Sequence, residues 1–187
     1  MSEDPQTYFL TAFVYGSAPG DGVNNRQSGP PRHIEAQLQI CIPDAVSNGS
    51  VQVVNDWAKM YTLSIHEDLK HSHDWRCAFC DKPARESFPA YKPSTELPHK
   101  MDTYIYLICN NDAPCGKQAS DAIKGMEPPL MSRQPGFEYL YPQAASCIQC
   151  KSEESAQKES MRCSGCKLTR YCGQVVPSIP YNQILIL

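Results

Sequence analysis

Alternation and helical periodicity divide the first two thirds of the chain into elements. From Ile34 to Ile42, apolar Ile34, Ala36, Leu38, Ile40 and Ile42 alternate with Glu35, Gln37, Gln39 and Cys41. That period of two marks a strand with one buried face. Cys41 falls out of phase with the apolar set and has no cysteine close to it in sequence, so it reads as a free structural thiol. Tyr8 to Tyr15 is β-branched and aromatic enough for a second strand. Between the two, residues 16–32 hold Gly-Ser-Ala-Pro-Gly-Asp-Gly and Gly-Pro-Pro, a loop composition.

The strongest helix signal runs from Ser50 to Lys70. Val53, Val54, Trp57, Met60, Tyr61, Ile65 and Leu69 recur at spacings of three and four, forming one stripe that reads as a core face. Ser50 can cap the start, and Lys70 with His71 suits the negative end of the helix dipole. His66-Glu67-Asp68 reads as a solvated face of this helix. Residues 83–100, with prolines at 83, 89, 93 and 98, read as loop. Asp102 to Cys109 reads as a strand and Gly116 to Met126 as a second helix. Glu127-Pro128-Pro129-Leu130 and Pro135-Gly136 open a linker.

Composition changes the picture chiefly through cysteine. The chain has 187 residues, 16 prolines, 10 glycines and 10 cysteines. Small, irregular domains need a staple beyond their apolar core. The start, Met1-Ser2-Glu3-Asp4-Pro5, has neither the positive nor the apolar segment of a secretory signal. The thiols are therefore expected in a reducing, intracellular setting, cytoplasmic or nuclear, where disulfides rarely persist and zinc is the better default. No apolar run is long enough to cross a bilayer. A formal net charge of −3 argues against a protein built to neutralise phosphates.

Cys77-Ala-Phe-Cys80 has zinc-knuckle spacing. Cys109 closes the predicted strand and Cys115 opens the predicted helix, where the helix N-terminus would favour a thiolate. A knuckle, a strand and a cysteine at a helix start form a treble-clef-like arrangement with four thiol ligands for one zinc. Trp75 is expected to pack over the knuckle. His71, His73 and His99 are substitutes of lesser weight.

Farther on, Cys147-Ile-Gln-Cys150 and Cys163-Ser-Gly-Cys166 are followed by Tyr171-Cys172. Two such pairs at short separation are a zinc signature by spacing alone. The polar stretch Lys151 to Ser160 cannot form a core without metal. The run from Arg162 through Cys163, Cys166, Leu168 and Arg170 to Cys172 resembles the middle of a MYND-type zinc finger. The resemblance, over residues 147–174, implies two zinc ions in an interleaved pattern. It would assign Cys147, Cys150 and Cys172 to one ion and Cys163 and Cys166 to the other. Val176 stands where the family has its next cysteine, and residues 175–187 contain no Cys, His, Asp or Glu. This loss of pattern after Gln174 suggests an alternative exon end. An alternative sharing of thiols would group Cys147, Cys150, Cys163 and Cys166 around one zinc and leave Cys172 spare.

The expected protein is a small α+β, zinc-stapled chain binding two zinc ions. Residues 1–7 would be a disordered start and 8–126 an α+β domain with the four-cysteine site. Residues 127–146 would be a linker, 147–174 a partial MYND finger and 175–187 an apolar tail. The pairing of a four-cysteine element with a terminal finger also resembles fungal MYND-domain proteins. The resemblance implies a protein–protein interaction module, with proline-rich peptides as candidate ligands and a transcription-related scaffold as setting. Two alternatives are a nucleic-acid-binding finger and a product with an unfolded finger and no partner. An enzyme is not expected. No Gly-rich cofactor loop or SET-domain segment is visible, and Lys70 replaces the second histidine of an H-E-x-x-H motif. Between residues 147 and 174 five cations face three carboxylates, too small an excess for a nucleic-acid patch.

Overall fold

The structure is a computed structural model. It describes residues 7–17, 33–41, 43–93, 100–124, 126, 141–157, 161–162, 170–172 and 185–186. Strands β1 (Thr7–Tyr15), β2 (His33–Cys41), β3 (Glu86–Pro93) and β4 (Lys100–Ile108) form one sheet. The short helix α1 (Asp44–Ser47) and the long α2 (Val51–Lys70) separate the strand pairs, and α3 (Pro114–Ala122) follows β4. Strands β5 (Met161–Arg162) and β6 (Arg170–Tyr171) form a separate short ladder, and β7 (Leu185–Ile186) extends the main sheet. The main sheet runs in the order β3-β4-β1-β2-β7, with β1 and β4 parallel and the other neighbours antiparallel.

Strand alternation sorts the two sheet faces. Leu10, Ala12 and Val14 of β1 join Met101, Ile105 and Leu107 of β4 in the core beneath α2. Phe13 and Tyr15 point the other way and stack on their register partners Tyr104 and Tyr106, with ring centroids 5.2 and 4.5 Å apart. In β4 the alternation gives way to full burial from Ile105 to Ile108. There α3 and the Cys77 turn cover the second face, through Ala78, Cys115, Ala119 and Ile123. Two layers thus flank one sheet, and the Cys77 turn lies at the end where β4 finishes.

Most predicted elements are present, with informative differences. Ser50 caps α2, its hydroxyl accepting the Val53 N–H. Ile65 and Leu69 are buried, and Val54, Trp57 and Tyr61 pack partly against the core. Val53 and Met60, expected in the core stripe, are 43% and 63% exposed. They sit more than about 100° round the helix from Ile65 at 3.6 residues per turn, and small Ala58 and Thr62 occupy the core face instead. The predicted loop 83–100 contains β3. An edge strand bonds on one side only, so Pro89 can lack an N–H without breaking the ladder. The expected solvated face 66–68 is solvated only at Glu67, whereas His66 is 3% and Asp68 6% exposed.

Residues 141–146, which fall in the expected linker, pack on the body. Ala144 is buried in the α2 core, and its amide donates to the Ala84 carbonyl at 2.8 Å. Of the expected disordered start, only Thr7 is described, and it opens β1. In the expected apolar tail, Leu185 and Ile186 pair with Gln39 and Leu38 of β2. The Cys41 thiol, His99 and the rest of the 127–140 and 173–184 segments lie outside the described residues. No described helix is long and apolar enough to cross a membrane.

Candidate metal centres

The first centre is assembled from three element ends. Cys77 and Cys80 lie in a tight turn closed by the Cys77 amide donating to the Lys82 carbonyl at 2.8 Å. Asp81, directly after the second cysteine, takes the left-handed conformation at φ 64°, where a side chain is tolerated only under local constraint. Ala78 donates to the Leu107 carbonyl at 2.9 Å, locking the turn to β4. Phe79 stacks on Tyr106 at 5.9 Å, which holds the same turn to the second sheet face. Cys109 is the residue after β4, and Cys115 is the second residue of α3. Gly116 is required at the next position, since a Cβ there would meet the Asn111 carbonyl oxygen at 1.8 Å.

The structure brings Cys77, Cys80, Cys109 and Cys115 together, all four sulfurs within 4.8 Å of one another. Cys80 and Cys109 Sγ are 3.5 Å apart. That is far beyond a disulfide bond of about 2.05 Å. It is near the roughly 3.8 Å edge of a tetrahedron built on metal–sulfur bonds of about 2.3 Å. Cys77 and Cys115 are buried and the other two half-buried. Burial, together with hydrogen bonding to Cys80, pushes the Cys109 thiol up to about 11. Burial, together with hydrogen bonding to Cys80, also pushes the Cys115 thiol up. For Cys80, burial is outweighed by hydrogen bonds from the Lys82 backbone and the neighbouring thiols, and its value falls. Crowded thiols of this kind share few negative charges unless a cation enters among them.

Trp75, expected over this turn, lies instead in the α2 core, where its indole N–H donates to the Leu69 carbonyl at 3.1 Å. Gly16 lies close to the ring, since a Cβ there would meet it at 2.7 Å.

The second centre is built on another Cys-x-x-Cys turn, closed by a different hydrogen bond. The Lys151 amide donates to the Cys147 carbonyl at 2.9 Å, and Lys151, again the residue after the second cysteine, is left-handed at φ 54°. Ala145, two residues before the turn, is left-handed as well, at φ 64°. The Cys147 amide is capped by the Ser155 hydroxyl at 2.7 Å. Ser155 is held in turn by the Ser152 carbonyl. The Ile148 amide donates to the Arg170 carbonyl at 3.1 Å, bringing β6 and the following Cys172 to the turn. The sulfurs of Cys147, Cys150 and Cys172 lie within 4.8 Å of one another, with Cys150 and Cys172 3.5 Å apart. Cys147 is buried and its two companions are exposed. Burial of Cys147 is outweighed by hydrogen bonds from the Cys150, Cys172 and Gln149 backbones, which lower its thiol to about 7. Hydrogen bonding to Cys150 and Cys147 raises Cys172 to about 11.

Of the two groupings open to the sequence, the structure joins Cys172 to Cys147 and Cys150. Cys163 and Cys166 lie outside the described residues. The two cysteine clusters could hold metal ions, and the described geometry is compatible with two sites.

A partly buried polar network that periodicity does not reveal connects the second centre to α2. Lys70, 1% exposed, pairs with Glu67 at 2.6 Å and donates to the Arg85 carbonyl at 3.1 Å. Ser87 donates to Glu67 at 3.2 Å and meets His66 Nδ1 at 2.7 Å. His71 Nδ1 meets Ser146 Oγ at 3.3 Å, one residue before Cys147. Arg170 Nε donates to the Ser72 carbonyl at 3.2 Å, and Arg85 pairs with Glu153. The available signal was positional: these polar residues flank Ile65 and Leu69 at the end of the apolar stripe.

No protein-family model, no curated protein and no solved structure matches this chain.

Proposed function

We propose that this protein is a zinc-stapled binding module in which two zinc centres fix the surface that a partner protein recognises, with no catalytic role. The observation that carries the reading is the convergence of Cys77, Cys80, Cys109 and Cys115 within 4.8 Å from a turn, a strand end and a helix start. Four thiols complete a tetrahedron and leave no position for an activated water, the arrangement of a structural site. Zinc suits it because thiolate ligands in tetrahedral geometry select zinc or iron–sulfur chemistry, and zinc adds no redox demand. The turn, strand and helix start carry the treble-clef-like reading. The grouping of Cys147, Cys150 and Cys172 supports the MYND-type reading of the later segment. With that reading comes a protein ligand, proline-rich peptides being the candidate class.

Elemental mass spectrometry of the purified chain tests the metal. About two zinc ions per chain are expected, falling to about one in Cys77→Ser/Cys80→Ser and about one in Cys147→Ser/Cys150→Ser. A metal-free but folded chain would refute the reading. Binding of proline-rich peptides that persists in moderate salt, and is lost on chelation, is the expected partner result. Binding of DNA or RNA with a steep salt dependence would instead favour a nucleic-acid module.

A further inference from the structure

We propose that Cys150 and Cys172 are a peroxide-sensitive pair, which oxidation joins in a disulfide as the second centre gives up its ion. The disulfide stands on the geometry of the two thiols, and the release of an ion rests on the metal reading above. Their sulfurs are 3.5 Å apart, and both residues are exposed. Closing that gap to a disulfide of about 2.05 Å takes a movement of about 1.5 Å, within the reach of side-chain torsions. The backbone already holds the partners near each other. The Ile148 amide, two residues before Cys150, donates at 3.1 Å to the Arg170 carbonyl, two residues before Cys172.

The first centre supplies the contrast. Cys80 and Cys109 have the same 3.5 Å separation, yet both are half-buried beside the buried Cys77 and Cys115. They pack against the apolar cluster that Tyr106, Ala119 and Ile123 help to build on the second sheet face. Oxidation by a solute follows access as well as thiolate character. Equal spacing with unequal exposure therefore directs the reaction to the second centre. Within that centre Cys147 is buried, which leaves Cys150 and Cys172 as the reacting pair.

The step balances with hydrogen peroxide as oxidant. One exposed thiolate attacks the O–O bond. A sulfur–oxygen bond forms, the O–O bond breaks, and hydroxide leaves. The other thiolate attacks the resulting sulfenic sulfur, so that the S–S bond forms and a second hydroxide leaves. Two solvent protons turn both hydroxides into water. The sulfur pair has then lost two electrons and the peroxide has gained them. An ion deprived of two thiolates is released to solvent, because thiolate ligands supply its affinity.

The test treats the full, zinc-loaded chain, freed of reductant, with hydrogen peroxide and then blocks the remaining thiols. Trypsin places Cys147 and Cys150 on peptide 134–151, Cys163 and Cys166 on 163–167, and Cys172 on 171–187. Mass spectrometry should find 134–151 joined to 171–187, with fragmentation placing the bond at Cys150. Zinc should fall from about two ions per chain to about one, and dithiothreitol should restore both the thiols and zinc uptake. Oxidation of Cys80 and Cys109 should be at least roughly tenfold slower.

A bond from Cys172 to Cys147, or from either thiol to peptide 163–167, would overturn the assigned pair. Equal oxidation rates at the two centres would overturn the selection by exposure. Joined peptides with zinc still at its starting level of about two would overturn the release. A chain holding about one zinc before oxidation would instead refute the metal reading of this centre, and the joined peptides alone would then decide the disulfide.

Discussion

The amide of Ala144 donates to the carbonyl of Ala84 at 2.8 Å, and this bond joins the chain leaving one cysteine turn to the chain entering the other. Ala84 lies four residues after Cys80, and Ala144 three before Cys147. Both alanines are buried in the α2 core. The two centres are therefore mounted on one packed body. Ala144→Pro removes the donor at a buried position and should cost about 2–3 kcal/mol in urea denaturation. It should also weaken metal retention at Cys147. A variant as stable as the parent would show that the contact does not hold the two turns together.

Lys70 and Glu67 make a second prediction. Lys70 is 1% exposed, whereas the Glu67 side chain is 43% exposed, so the pair is screened from one side. Burial opposes ionisation of Glu67, but Lys70, His66 and His71 outweigh it and hold the carboxyl below its ordinary range. Glu67→Gln leaves a buried ammonium without its counter-charge and should cost about 1–3 kcal/mol, discounted for the exposed side of the pair. Adding Lys70→Met removes the stranded charge and should recover much of that loss. A double variant less stable than Glu67→Gln would contradict the argument.

What could be read from the sequence follows from what periodicity measures. β1, β2, β4 and α2 each carry one apolar face, and each lies close to where alternation or the helical repeat put it. β3 does not read as a strand because Pro89 and Pro93 mask it, and only its position at the sheet edge makes them tolerable. The end of α2 was unreadable for another reason. Lys70, His66 and His71 count as polar in any periodicity, yet tertiary partners on Arg85, Ser87 and Ser146 make their burial affordable. The two-residue spacing of the cysteine pairs announced both turns. The Ser155 cap on Cys147 had no sequence signal, since a serine eight residues away reads as an ordinary loop residue.

Gly116 sets the geometry of the first centre as much as the cysteines do. Its missing Cβ is the space occupied by the Asn111 carbonyl, 1.8 Å from where that atom would lie. Asn111 belongs to the short connection between Cys109 and Cys115, and its amide donates to Glu86 at 3.2 Å. Gly116→Ala must push backbone aside, separating these two ligands. Metal affinity at the first centre should fall by roughly tenfold or more. The second centre should be unaffected, as a chelator competition on each would show. Equal affinities at the first centre before and after substitution would mean that the connection yields more easily than its packing implies.

The last prediction concerns acid. Burial, reinforced by the charge of Lys70, lowers His71 to about 4, against partial opposition from Glu67 and the Ser146 backbone. His66 moves in the same direction, again first through burial. A histidine held neutral in the native state contributes stability that is fully present above its ordinary value near 6.5. As pH falls below that value the unfolded chain takes up a proton that the native chain refuses. Stability is then lost until the native value is reached. For His71 this linkage amounts to about 3 kcal/mol between roughly pH 6.5 and pH 4. Glu67, held low, adds a loss as pH falls through its native value. Acid also strips metal from thiolates, so the informative measurement is a difference. Urea midpoints of the metal-loaded parent and His71→Gln should be compared from pH 7 down to pH 5, where loss of metal is common to both. The variant's curve should be flatter by close to one proton, and parallel curves would show that His71 does not stay neutral in the native fold.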